Sequence, residues 1–326
     1  MTPRILVTRR LPEPALARLR AAGEVDLNEL DRPLNREELL ARVRGASALV
    51  SLLTDTVDGA VMDAGLPSLR VIANYAVGYD NVDIAAATAR RIPVTNTPGV
   101  LTEATADLAW TLILSTVRRV AEGDRVMRRG AFPGWSPLYL LGGEVTGATL
   151  GLFGLGRIGT AVARRARGFE MRIIYHDERR ADAATEEALG AKIVDFDTLL
   201  AESDILSIHA PLTPATRHRF GLAEFRKMKR TAALVNTARG PIVNEPELVS
   251  ALAEGLIAGA GLDVYEDEPK TSPGLAEQER AVLAPHLGSA TLATRTKMAH
   301  LAVDNVLAAL EGRKPPACVN PAALGE

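Results

Sequence analysis

A chain of 326 residues with 47% hydrophobic and 24% charged side chains has ordinary globular composition and room for two domains, each with a buried core. This excludes a disordered, collagen-like or disulfide-rich chain, and a formal net charge of -2 gives no electrostatic reason to expect nucleic acid. Cys318 is the only cysteine, so no intrachain disulfide and no thiolate-rich metal site is expected, which fits a reducing, cytoplasmic compartment.

Met1 to Arg20 holds a short apolar piece, Ile5-Leu6-Val7, and a helix pattern from Pro14 to Arg20, with no signal-peptide core. Apolar runs then alternate with helix-period segments: Ala48 to Leu53, Arg70 to Ala73, Ala85 to Arg91, then Ile92-Pro93-Val94. That alternation predicts parallel α/β architecture. The first strand runs into Arg9-Arg10-Leu11-Pro12 without a glycine loop, so the chain does not open on a dinucleotide fold. The most apolar stretch, Leu108 to Val117, is far short of the roughly 20 residues that cross a bilayer, and no membrane association is expected.

Mid-chain, Thr149 to Phe153 reads as a buried strand, Gly154-Leu155-Gly156-Arg157-Ile158-Gly159 follows at once, and a helix pattern begins at Thr160. In that strand–loop–helix context Gly154 permits the tight turn, Gly156 lets a pyrophosphate approach the backbone, and Gly159 allows close helix packing. The second strand, Arg172 to His176, ends at Asp177, about 20 residues on, where a ribose-binding acid belongs. Arg179 and Arg180 just beyond could hold a ribose 2′-phosphate, so NAD(H) is the preferred cofactor and NADP(H) a possible one. Further strands are predicted at Asp204 to His209, Ala232 to Asn236, Ala258 to Val264 and Ala281 to Leu283, and a long amphipathic helix from Ala293 to Leu310. The expected architecture is α/β in two domains. A Rossmann-type doubly wound cofactor domain at 99–287 is inserted in a discontinuous, flavodoxin-like substrate domain at 1–98 plus 288–326. Of the five histidines, His286 stands out because it ends an apolar strand, and α/β sheets hold their ligands at strand C-termini.

The residues resemble the D-isomer-specific 2-hydroxyacid dehydrogenases through nearly the whole chain. The match covers Asn74 to Asp83, Asn96-Thr97-Pro98-Gly99 with Thr102 to Asp107, the glycine fingerprint, and His209-Ala210-Pro211-Leu212-Thr213. It continues through Asn236-Thr237-Ala238-Arg239-Gly240, Gly261 to Pro269 and Pro285-His286-Leu287-Gly288. The resemblance implies reduction of a small 2-keto acid by hydride transfer. Arg239 would clamp the carboxylate and keto oxygen with its planar fork, His286 would donate the proton, and Glu268 would orient and charge His286. Glu266 is the alternative to Glu268; the following Pro269 favours Glu268.

The resemblance also assigns Thr105, Leu155, Arg157, Ile158, His209, Pro211, Thr216, Thr237, Ala238, Asp263 and Gly288 to the cofactor. It assigns Leu53, Ser289 and the Val77 and Gly78 backbone amides to the substrate. Trp135 to Gly142 is similar to the arm of glyoxylate and hydroxypyruvate reductases. A homodimer is therefore expected, with a dimerisation arm at about 120–143 and Tyr139 reaching the partner's site or simply lining the interface. Other activities on this fold are phosphoglycerate oxidation and non-enzymatic NAD sensing of the corepressor kind. The first is disfavoured because the chain ends soon after Pro315-Pro316, and the second because no disordered tail or basic patch is evident.

Overall fold

The computed structural model describes residues 2–325. The chain divides into two compact units, one running to Leu101 and resuming at Thr291, the other spanning Thr102–Ala290. In the first unit β1 (Arg4–Val7), β2 (Glu24–Leu27), β3 (Ala48–Ser51), β4 (Val71–Asn74) and β5 (Val94–Thr95) form one parallel sheet in the order β2-β1-β3-β4-β5. That is the flavodoxin-like order.

The sheet is apolar on both sides because helices cover both faces, as parallel sheets require. Leu6, Leu49 and Ile72 pack with Leu39, Val61 and Met62 of the helices Arg36–Arg42 and Gly59–Gly65. The alternate positions Ile5, Val7, Ala48, Val50, Val71 and Ala73 pack instead with Leu16 and Leu19 of the helix Glu13–Ala22 and with Ala299, Val303 and Val306 of the helix Leu292–Leu310. The C-terminal helix thus completes the core that the N-terminal strands begin.

The second unit holds seven parallel strands: β6 (Thr149–Phe153), β7 (Arg172–His176), β8 (Ala191–Ile193), β9 (Ile205–Ile208), β10 (Ala233–Asn236), β11 (Gly259–Leu262) and β12 (Ala281–Leu283). Their order, β12-β11-β10-β9-β6-β7-β8, is doubly wound about β6. The direction of winding reverses between β6 and β9, which pair directly, and a ligand crevice forms outside the strand ends at such a point. Short helices between the strands start on side-chain caps: Asp182 accepts from Thr185 N, Asp195 from Thr198 N, and Asn244 from Glu247 N. The helix Thr102–Val117 packs on the helix Arg157–Ala166, where Trp110 stacks on Phe169 and donates its indole N–H to Val162 O at 3.0 Å.

No helix among the described residues is long and apolar enough to cross a membrane. The sequence pattern does not single out β2, β8 or the helices Arg36–Arg42 and Gly59–Gly65. β2 and β8 are edge strands of four and three residues with only partial burial, and the two helices are seven residues each, too short to show a clear period.

Candidate active site and cofactor loop

Phe153 ends β6 and the chain turns at once into the helix Arg157–Ala166. Gly154 makes the turn at φ 98°, and a Cβ there would lie 2.7 Å from Ala210 N. At Gly159 a Cβ would come within 2.3 Å of Gly154 O, so the helix can sit on the turn only if this residue lacks a side chain. Gly156 is different: an added Cβ meets nothing within 4 Å. It caps a helix that has no side-chain cap, leaving first-turn N–H groups facing open space, with Leu155, exposed Arg157 and Ile158 around it. The buried Thr237 Oγ1 has no hydrogen-bond partner. Open space before unpaired N–H groups fits a dinucleotide phosphate better than a closed core.

Asp177 follows β7. Its Oδ2 accepts Leu155 N–H at 2.7 Å and its Oδ1 accepts Arg179 N–H at 3.2 Å, which fixes the acid against the glycine loop. His176 belongs to the strand end, its ring stacked on Phe153 and its Nδ1 3.1 Å from Val194 O. His209, after β9, donates its backbone N–H to Phe153 O at 2.8 Å, and its Nε2 lies 2.9 Å from Ser207 Oγ. Burial pushes its pKa down to about 3, so the ring is neutral near pH 7. Thr216 shapes the next loop by donating to Pro211 O at 2.7 Å and accepting Thr213 N–H at 2.8 Å.

Beyond β10, Asn236 clamps a tight turn: its Oδ1 accepts Ala238 N–H at 3.0 Å and its Nδ2 donates to Arg239 O at 2.9 Å. Arg239 is half-buried and one guanidinium N–H reaches Ala238 O at 2.8 Å. Gly240 then passes so close to the next loop that a Cβ would lie 1.8 Å from Tyr265 O. This contact brings the arginine turn against the segment that carries Glu268.

Glu268 Oε2 accepts the Nδ1–H of His286 at 2.9 Å and its Oε1 accepts Tyr265 N–H at 3.1 Å. Burial alone would raise the Glu268 carboxyl. The His286 hydrogen bond and charge, the Tyr265 amide and the Arg239 charge outweigh it and hold the group below the usual carboxylate range. Glu266 is engaged elsewhere, with Oε1 2.5 Å from His218 Nε2 and Oε2 accepting Glu245 N–H at 3.3 Å.

His286 has a φ of 55°, a left-handed conformation uncommon for a residue with a side chain. Its turn is held by Asp263, whose two carboxylate oxygens accept Leu287 N–H at 2.6 Å and Gly288 N–H at 2.8 Å. The Asp263 carbonyl accepts His286 N–H at 3.1 Å, and Thr105 donates to Gly288 O at 3.2 Å. Burial raises the Asp263 carboxyl against the pull of these amides and of His286. Asp263 and Thr105 therefore bind the histidine turn itself, a task the residue pattern does not reveal. Tyr265, whose hydroxyl donates to Ala284 O at 2.9 Å, is a further brace that sequence reasoning passes over. Ser289 follows, half-buried.

In the first unit Leu53 lies just past β3, and Val77 and Gly78 just past β4. Asparagines hold both loops: Asn81 donates to Leu52 O and Asp55 O, each at 2.9 Å, Asn74 to Gly78 O at 2.9 Å, and Asn96 to Val77 O at 2.7 Å. In the second unit Tyr139 is half-buried, its ring centroid 5.9 Å from that of Phe132, on a segment where Trp135 is 84% and Leu138 81% exposed.

Two parallel α/β units, one with a dinucleotide loop and a hydrogen-bonded His–Glu pair under the charge of an arginine, define a nicotinamide-dependent dehydrogenase. The family described as D-isomer specific 2-hydroxyacid dehydrogenase, NAD binding domain, matches residues 110–288. A glyoxylate reductase of Korarchaeum cryptofilum is 50% identical over 323 residues, 98% of this chain and 96% of that protein. A solved structure from Thermus thermophilus superposes with a TM-score of 0.90 at 47% identity, covering 97% of this chain and 99% of that one. An NADPH-dependent glyoxylate/hydroxypyruvate reductase from Sinorhizobium meliloti, solved with NADP and malonate, gives a TM-score of 0.85 at 35% identity, covering 99% and 98%. The chain belongs to the D-isomer-specific 2-hydroxyacid dehydrogenase family, and it is an NAD(P)-dependent oxidoreductase acting on 2-keto acids.

Proposed function

We propose that this protein reduces glyoxylate or hydroxypyruvate to the 2-hydroxy acid, with NADH preferred over NADPH. The observation that carries the reading is the His286–Glu268 pair, 2.9 Å apart, set by the Gly240 contact beside Arg239. With Nδ1 committed to Glu268, Nε2 is the ring atom left to hand a proton to the keto oxygen. The ionised Glu268 keeps that proton available, and Arg239 grips the carboxylate and keto oxygen in two-pronged fashion. The bound nicotinamide supplies the hydride. The family resemblance assigns the Val77 and Gly78 backbone amides to the carboxylate. Relatives named as a glyoxylate reductase and a glyoxylate/hydroxypyruvate reductase, similar over nearly the whole chain, support this choice of substrate.

The preference for NADH follows from Asp177, whose carboxylate repels a 2′-phosphate and hydrogen-bonds a free ribose diol. A homodimer built on the arm is part of the same reading, because Met127, Phe132, Trp135, Leu138 and Leu141 are 47–84% exposed, more apolar surface than an isolated chain keeps on one segment. The test is a panel of glyoxylate, hydroxypyruvate, pyruvate and 3-phosphohydroxypyruvate, each with NADH and NADPH, on protein whose mass is measured by light scattering. Turnover below about 0.01 per second with every acid, against the ordinary enzyme range, would favour an NAD sensor instead.

A further inference from the structure

The loop after β7 carries more than Asp177. Tyr175, next to the last residue of that strand, donates its hydroxyl to Glu186 Oε1 at 2.6 Å and accepts Ala181 N–H at 3.0 Å. Glu186 lies in the helix Ala183–Leu189, and its side chain is only 13% exposed. Its carboxylate also takes three contacts from Arg180: Nε at 3.1 Å to Oε1 and 3.2 Å to Oε2, and Nη2 at 2.8 Å to Oε2. Arg180 is otherwise the exposed member, at 68%. The arginine three residues past Asp177 is thus turned onto the helix that follows it, gripped by a carboxylate that a buried tyrosine holds in place.

An arginine at this end of β7 is the group that would pair with a ribose 2′-phosphate. We infer that Glu186, braced by Tyr175, is a specificity-determining positioning residue: it sequesters Arg180 and thereby keeps the adenosine end of the site selective for the unphosphorylated ribose. The inference rests on the reading that Asp177 marks the ribose position. Two devices then act together, Asp177 by repelling the phosphate and Glu186 by withholding its cation. The Arg180–Glu186 pair lowers the Glu186 carboxyl below its usual range, so the grip persists across the neutral range.

The experiment measures the dissociation constants of NADPH and NADH by calorimetry, and the ratio of kcat/KM for the two cofactors, in Glu186→Gln, Asp177→Ser and the double variant. Glutamine keeps an acceptor for Tyr175 and loses the charge. Ratios are read so that any loss of folded protein cancels. Because an ion pair whose arginine is 68% exposed holds that arginine only modestly, Glu186→Gln should tighten NADPH relative to NADH by roughly three- to tenfold, with a larger gain in the Asp177→Ser background. Adding Arg180→Ala should erase the gain, and the NADPH affinity gained should weaken with added salt. If Asp177→Ser shifts preference while Glu186→Gln does not in either background, the clamp is refuted and the Asp177 reading stands. A gain that survives Arg180→Ala also refutes it and points to Arg179. If Asp177→Ser leaves preference unmoved, the ribose assignment fails and the inference falls with it.

Discussion

Gly156 and Gly159 stand three residues apart in one loop, yet the same substitution should act on them in opposite ways. At Gly159 an alanine Cβ would sit 2.3 Å from Gly154 O and 3.2 Å from Gly154 C, backbone atoms that cannot rotate away. Relief requires the helix Arg157–Ala166 to lift off the turn, an overpacking cost of about 1–3 kcal/mol, which lowers Tm by roughly 3–10 °C for a unit of this size. At Gly156 the φ of −71° suits any residue and no atom lies within 4 Å of the added methyl. Losing glycine at the helix N-cap costs up to about 1 kcal/mol, and the stiffer unfolded chain offsets about as much, so Tm should stay within about 2 °C. The methyl would nevertheless stand where phosphate must approach the N–H groups. NADH affinity should fall at least about tenfold, near 1.4 kcal/mol. Scanning calorimetry on the ligand-free protein and titration with NADH separate the two effects. A Gly156→Ala protein that stays folded and binds NADH within about twofold of wild type would falsify the placement of the phosphates in this loop.

Arg239→Lys keeps the charge but not the planar fork, so kcat/KM for the keto acid should fall well beyond twofold with Tm unchanged; a loss below about 0.5 kcal/mol, read from steady-state kinetics, would remove Arg239 as the clamp. Glu268→Gln retains an acceptor for His286 Nδ1 and deletes the charge, so reductive kcat/KM should fade at lower pH than in wild type, and an unmoved alkaline limb would make Glu268 a bystander. His209 has its pKa pushed down by burial to about 3, so above its ordinary value both folded and unfolded states are neutral and no stability is lost there. As pH falls below about 6.5 the unfolded chain takes the proton first, which should cost up to about 2 kcal/mol between pH 7 and 5. Urea titrations of wild type and His209→Gln at the two pH values should show that extra acid sensitivity only in wild type, and equal slopes would mean the ring is hydrated.

What is legible in the sequence follows from repetition and context. Alternating apolar runs and helix-period segments locate the central strands of both sheets, and the helix expected from Ala293 to Leu310 is long enough for its faces to show; it runs from Leu292. The glycine loop is legible because three glycines at fixed offsets follow a buried strand. The edge strands β2 and β8 are not, since β2 is half-solvated and β8 alternates a buried, an exposed and a half-buried residue over only three positions, whereas the edge strand β12 is legible as the apolar run Ala281 to Leu283. The choice between Glu266 and Glu268 shows the same limit at the site. The two stand in one acidic turn with a single residue between them, and only the neighbouring Pro269, not their spacing, favours Glu268 as the partner of His286. The structure separates them through partners the linear pattern cannot bring together, His218 for Glu266 and His286 for Glu268.

The same principle explains why so many motif residues do structural work close to the chemistry. The resemblance assigns Asp263 to the cofactor, and in the structure each of its oxygens also accepts an amide after His286. Those amides would otherwise be unpaired donors in a turn whose histidine adopts a φ of 55°, a conformation that persists only where neighbours over-determine it. Gly240 is conspicuous only as a glycine after the arginine, and its meaning lies in a backbone 1.8 Å from where its Cβ would be. Each of these residues fixes the position of a neighbour that carries charge or a proton. Misplacing a reacting group by about 1 Å can cost a hundredfold in rate, so a carboxylate that holds a turn and a glycine that lets two loops touch constrain the reaction as tightly as the histidine and arginine they serve.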